Sequence, residues 1–320
     1  MQTPPITPGG DPNLTGERIP DSLAEVRSPR QIRRARRRRA LSTFWAQYRK
    51  SKMGMAGLII LAFFAAVAIF AVLASKDGLD PTLVEGPRLA SPSTTYPLGT
   101  DSFGVSVLTQ VIQGSKISLL VGLVASVMSI AIGALVGIVA GYRGGTYDTL
   151  LMRFTDFGLV VPWLALAIIL ASIIGPSLIT IILVIGLTSW PGTARLVRSQ
   201  VLSVRERPYV ERARALGGGN WHMIAHHVLP NVMPVILANA VLVVAIAILS
   251  ETALSFLGLG DPFSFSWGGI IESAFNGHAT TLGAWWWIGP PGICIVLVVL
   301  AFTMIGFALD EIINPKLRER

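Results

Sequence analysis

"ISLLVGLVASVMSIAIGALVGIVAG", residues 117–141, is a run of 25 residues without one charge. A helix needs about 20 apolar residues to cross a ~30 Å hydrocarbon core. Five further runs share this character: 54–74, about 157–174, 177–190, 232–258 and about 288–309. The turn Gly175-Pro176 separates the third from the fourth. The fourth is short, and it spans only if Arg195 snorkels and the helix continues past Pro191. The whole composition agrees. Of the 320 residues 52% are hydrophobic and 14% charged, where soluble domains carry about 25% charged residues. The mean hydropathy is +0.61. These values exclude a soluble fold and predict an all-α membrane protein with six transmembrane helices.

Charge placement orients the spans. With the N-terminus inside, 23 Lys and Arg fall in inner segments and 3, Lys76, Arg88 and Lys116, in outer ones. Cytoplasmic loops concentrate these residues, so both termini are expected in the cytoplasm. The net charge of +8 follows from that bias without nucleic acid. Residues 1–50 read as a disordered Arg-rich tail, and "RRARRRRA" at 33–40 as a topology signal or a contact for anionic lipid or nucleic acid. The expected order is then a first span at 51–76, an extracytoplasmic segment at 77–116, a core of five spans at 117–310, and a short tail at 311–320. Within 101–115, Val105, Leu108 and Ile112 have the spacing of an amphipathic helix lying on the outer surface. Gly133, Gly137 and Gly141, with Ser118, Gly122 and Ser126, make a small-residue stripe for close helix packing. Trp285, Trp286 and Trp287 fit an interfacial aromatic belt.

Familiar catalytic motifs are missing from the sequence. There is no G-x-x-x-x-G-K-[ST] loop, no H-E-x-x-H and no G-x-S-x-G. His222 and His226 lie four apart without a carboxylate between them, so no metal site is expected. The single cysteine, Cys294, lies in an apolar stretch and reads as packing. Two acids lie in or beside spans, Asp156 and Glu251. Intramembrane acids mark translocation paths or hold helices together, and both readings stay open.

One segment breaks the apolar pattern, "ERARALGGGNWHMIAHHVLP" at 211–230. The stretch 191–231 holds six arginines, whose burial would cost on the order of 15–20 kcal/mol, so it lies outside the bilayer. Residues 203–216 read as helix, Gly217, Gly218 and Gly219 as its left-handed stop, Asn220 as the cap of a second helix, and Pro230 as its end. This elbow, 203–230, would present Leu216, Trp221, Met223 and Ile224 to a protein partner.

The same stretch resembles the cytoplasmic coupling motif of ABC-importer permeases: E-A-A, three residues, G, nine residues, I-x-L-P. Glu211, Ala213, Gly217, Leu229 and Pro230 match; Arg212 and His227 depart from it. "YPLGTD" (96–101), "IVAGYRGGTYDTLLMR" (138–153), "SETALSFLGLG" (250–260) and "DEIINPKLR" (310–318) are similar to the dipeptide/oligopeptide and nickel branch. The family's "GTDxxGRD" reads "GTDSFGVS" here. The resemblance implies a type I ABC importer permease fold with a cytoplasmic coupling helix, in a bacterial or archaeal plasma membrane. It implies a non-catalytic chain without a cofactor. Its partners would be a second homologous permease, two ATPase subunits that bind ATP and Mg, and an extracytoplasmic solute-binding protein. The cargo would be di- or oligopeptides, with nickel, glutathione or another small solute as alternatives. A proton-coupled transporter using Glu251 and Asp156 is the reading from another class.

Overall fold

The computed structural model describes residues 42–74, 82–84 and 86–313. The readings made for residues 1–41, 75–81 and 314–320, the arginine run among them, lie outside the described residues. Residues 42–47 are helical and belong to a separate small unit; everything from Tyr48 onward is a second unit.

The second unit is built from helices: α1 (Lys52–Ala74), α2 (Val107–Arg143), α3 (Gly145–Val160), α4 (Trp163–Ile174), α5 (Leu178–Thr188), α6 (Trp190–Arg205), α7 (Pro208–Ala215), α8 (Asn220–Met223), α9 (Leu229–Leu254), α10 (Trp267–Asn276) and α11 (Trp285–Ile313). Five stretches are long and apolar enough to span a membrane: 52–74, 107–143, 178–205, 220–259 and 285–313. The pair α3–α4 passes the same test only when its two helices are taken together, and makes a sixth span if the bent pair crosses as one.

That pair corrects the expected third span. The apolar run 157–174 is not one helix; α3 and α4 meet at 88°. Pro162 is the cause. It lacks an N–H, and its ring pushes the preceding residue out of the helical region; Val161 sits at ψ 126°. Gly175, at φ 100°, ends α4 as expected. Beyond it α5 and α6 together form the long span, because Pro191 falls in the first turn of α6, where a missing N–H costs nothing.

The segment at 101–115 also differs from expectation. Ser106 caps α2 by accepting from the Thr109 N–H at 3.4 Å. Residues 107–115 are thus the first turns of α2, with Val107, Gln110 and Gln113 buried. They continue upward from the span rather than forming a separate helix, with only Leu108 and Ile112 partly exposed. Ser106 stands where the family pattern has Asp, and both residue types cap helices. Asp101 accepts from the Val105 N–H at 2.9 Å and from Gln110 Nε2 at 2.6 Å. Of the three tryptophans, only Trp285 faces outward; Trp287 is buried and Trp286 donates to the Thr100 carbonyl at 3.2 Å.

The small-residue stripe is a packing face, as its spacing indicates. Gly133 lies over Trp190 and Thr193, Gly137 over Ala194, and Gly141 over Val201. This seam joins α2 to α6. Further along α2, Gly122 admits Ile248 of α9. A core of Phe64, Val107, Ile248, Trp267 and Val298 closes the opposite end, where Phe64 meets Trp267 edge to face at 5.6 Å. Outward-facing Ile59, Phe63, Ile69, Val127, Leu135 and Val296 are all more than half exposed, the girdle that a hydrocarbon surrounding requires.

Candidate functional site

The elbow begins where α6 loses its apolar stripe. Val197, Val201 and Val204 face inward at helical spacing and are buried; Arg195 and Arg198 face α3 instead. Arg195 pairs with Asp156 at 2.6 Å, and Arg198 makes a forked pair with Asp148 at 2.5 and 2.6 Å. Phe154 stacks on Trp190 beside them. Asp156 is therefore one half of an exposed ion pair that joins α3 to α6.

The expected helix 203–216 is interrupted. Glu206 and Arg207 leave the helix, and Pro208 starts α7 afresh in its first turn, where proline is favoured. The glycine stop is as expected. The Gly218 N–H donates to the Ala213 carbonyl at 3.1 Å and the Gly217 N–H to the Arg214 carbonyl at 3.0 Å. Gly217 has φ 89°. The paired 6→1 and 5→2 bonds are the Schellman arrangement, which needs a left-handed residue at that position.

Asn220 is not the cap. Gly219 occupies that place, and Asn220 is the first residue of α8, its Oδ1 3.5 Å from the Tyr142 hydroxyl. Nor does Pro230 end the second helix. α8 runs through a π-helical turn at Ile224–Val228 into α9 without a break. A proline ring clashes with the carbonyl four residues back in a regular α-helix; the wider π turn just ahead of Pro230 relieves that clash. Chain direction is preserved, so α8 and the fifth span are one helix.

Burial sorts the elbow residues into two groups. Leu216 is 89% exposed and Trp221 78%. Glu211 is exposed too, on the first turn of α7, with no ion-pair partner within 4 Å among the described residues. Pro230 is exposed and Leu229 half-buried. Met223, expected on the outer face, is fully buried instead, and Ile224 packs beside it. The reason is tertiary. Met223, Val210 and Val228 join Ile138 and Tyr142 of α2, Val197, Val201 and Val204 of α6, and Val232 and Ile236 of α9 in one cluster, against which Ala213 also packs. Val210 and Val228 are anchors that the sequence does not single out, and Met223 joins them instead of the outer face. The valine stripe at 197, 201 and 204 was the available signal, since it demanded a partner. Arg205 adds a polar tie, donating to the Gly141 carbonyl at 3.1 Å.

Glu251 lies far along α9, 1% exposed. Its Oε1 accepts from the Ser255 hydroxyl at 2.8 Å and its Oε2 from the Ser118 hydroxyl at 3.2 Å. Ser118 in turn accepts from the Trp267 N–H at 3.1 Å. The carboxyl group thus connects α9, α2 and α10. The structure brings Glu211, Ala213, Leu216, Gly217, Trp221, Leu229 and Pro230 together in the elbow. Asp156 and Glu251 it holds apart, each with its own partners.

Two family models match this chain. Residues 133–319 match the binding-protein-dependent transport system inner membrane component, and residues 40–92 match the N-terminal TM domain of oligopeptide transport permease C. The chain is 37% identical over 275 residues to the dipeptide transport system permease protein DppC of Bacillus subtilis, covering 86% of this chain and 85% of that one. It is 34% identical over 284 residues to the di/tripeptide transport system permease protein DppC of Pseudomonas aeruginosa, covering 87% and 93%. With the probable D,D-dipeptide transport system permease protein DdpC of Escherichia coli it shares 36% over 239 residues, covering 74% and 79%. The first model spans more than half of the chain and takes in the elbow, the seam partner α6 and every helix after it, so the chain is a member of the binding-protein-dependent transport system inner membrane component family.

Proposed function

We propose that this chain is a permease subunit of an ATP-driven peptide importer and that the 203–230 elbow is its joint with a cytoplasmic ATPase. Both termini and the elbow lie in the cytoplasm. The chain itself performs no covalent chemistry and holds no cofactor. ATP and Mg are bound by two ATPase subunits, a second homologous permease completes the pore, and an extracytoplasmic binding protein delivers the cargo. The names of the relatives support di- or oligopeptides as that cargo.

One observation carries the reading. Leu216 and Trp221 project into solvent from a segment whose Val210, Met223 and Val228 are buried against three spans. An exposed apolar pair on a rigid base suits a protein partner. A push on that pair bears on the elbow ends of α2, α6 and α9, because all three contribute to the same core. Glu211 is placed to bond or pair with the ATPase surface.

The test is a Leu216→Asp, Trp221→Asp variant of the full chain, coexpressed with its ATPase subunits and purified from membranes. We expect normal membrane insertion, loss of ATPase subunits from the complex and loss of uptake in vesicles. Full retention of the ATPase subunits with wild-type uptake would overturn the assignment.

A further inference from the structure

Beside the elbow lies a pocket of about 530 Å³ lined by Tyr142, Arg143, Tyr147, Arg205, Arg214 and Asn220. Three guanidinium groups surround it and no carboxylate lines it. Asp148, the acid whose field reaches Arg205, is committed to Arg198 through two short bonds. None of the three lining arginines has a carboxylate within 4 Å among the described residues.

The guanidinium groups are nonetheless held in place. Arg143 lies over the Tyr147 ring at 5.0 Å and Arg214 over the Tyr142 ring at 5.6 Å. Arg205 is fixed through Nη1 by the Gly141 and Tyr142 carbonyls, and its remaining N–H donors have no hydrogen-bond partner among the described residues. The turn that returns Tyr147 to Arg143 depends on Gly144 and Gly145, at φ 68° and 58°. Positioned cations with spare forked donors and no counter-charge constitute an anion receptor. Stacking on aromatic faces aims the groups without neutralising them.

Position within the fold narrows the anion. Arg143 is the last residue of α2, a membrane span. The charge-free run 117–141 ends two residues before Arg143, so the pocket lies at the polar end of a candidate span, and Tyr147, 58% exposed, is of the residue type that concentrates at such ends. Basic pockets between spans at this level suit phospholipid headgroups. We propose that this pocket binds a phosphate group at the elbow end of the bundle, presented by an anionic phospholipid and forked by Arg143, Arg205 and Arg214. Because Arg214 and Asn220 belong to the elbow and Tyr142 and Arg143 to α2, an occupied pocket joins the two. This inference is independent of the identity of the cargo.

The test places the full-length chain, alone and in its complex, in phosphatidylcholine nanodiscs containing some phosphatidylglycerol. Bound lipid is counted by native mass spectrometry. We expect wild-type protein to retain phosphatidylglycerol. Arg143→Gln should retain at least about fivefold less, and Arg214→Gln should lose it likewise. Arg153→Gln, which removes an equal charge outside the pocket, should match wild type. A parallel arm adds inorganic phosphate in place of the anionic lipid. Saturable binding of phosphate that depends on Arg143, with no lipid retained, would overturn the lipid and assign the pocket to free phosphate. The proposal is overturned if both pocket variants hold lipid as wild type does, or if wild type binds neither probe. It is also overturned if lipid enters only after the ATPase subunits are stripped away, which would make an acidic protein surface the occupant.

Discussion

Gly137 and Ala194 are so close that a methyl group on the glycine would lie 2.5 Å from the alanine carbonyl oxygen. Backbone meets backbone at this point, and the seam between α2 and α6 depends on it. Gly137→Val has no space for its side chain. We expect it to destabilise the protein by roughly 1–3 kcal/mol or more and to lower its yield from membranes. Gly192→Ala, where nothing lies within 4 Å, should leave the thermal midpoint in detergent unchanged or slightly raised. Equal melting of the two variants would contradict the seam.

A second prediction separates strain from surface at the elbow. Gly217 is left-handed, and a β-branched side chain there costs about 1–2 kcal/mol. Gly217→Val should insert normally, yet show ATP hydrolysis uncoupled from uptake or weakened ATPase binding. Gly219, at φ −68° with open space around it, should accept alanine with no such effect. Measuring ATPase retention and substrate-stimulated hydrolysis in one preparation distinguishes the two variants.

The buried anchor and the exposed contact should fail in different ways. Met223→Ala removes a fully buried side chain and should cost about 2–5 kcal/mol. Much of that loss is local, so a protease should cut within 206–220 faster while the spans stay protected. Trp221→Ala should shift stability by no more than about 0.5 kcal/mol and act only on partner binding. Identical cleavage rates for the two would show that the elbow is not held by the valine cluster.

Removing the acceptor at Glu251 tests whether it is structural. Glu251→Ala strands the buried hydroxyls of Ser118 and Ser255, a loss of about 1–3 kcal/mol for each unsatisfied group. Glu251→Gln keeps an acceptor and should be far milder. Vesicles carrying Glu251→Gln should still take up cargo with ATP and no ion gradient. Abolished uptake in a stable Glu251→Gln protein would revive the proton-carrier reading.

Orientation has its own test. In a Cys294→Ser background, Leu216→Cys should resist a membrane-impermeant maleimide in intact cells and react in inside-out vesicles. Labelling in intact cells would invert the topology.

Much of this fold could be read along the chain because bilayers impose length and small residues impose spacing. The run 117–141 and the stripe Gly133, Gly137 and Gly141 needed no knowledge of the partner helix. The misreadings share one cause. Pro162 breaks a span, whereas Pro230 sits within a helix, and nothing local separates them; the difference is a π turn whose hydrogen bonds reach back to residue 224. Met223 belongs to the core because α6 brings three valines to it. Its neighbour Trp221 points away, and both residues are equally apolar in sequence. Asn220 is a good cap by type, but Gly219 reached the extended conformation first.

From Asn220 to Leu257 the chain is an unbroken succession of helical turns, so Trp221 and Glu251 are two points on one rod. Thirty residues separate them, an arm of about 45 Å. Each degree of tilt about the Trp221 end then displaces Glu251 by about 0.8 Å, and roughly four degrees carry it the full length of a hydrogen bond, about 3 Å. The Glu251–Ser118 contact is the first long-range bond such a swing would stretch. A tilt of α9 against α2 would therefore be read at that contact, at the end of the helix far from the elbow.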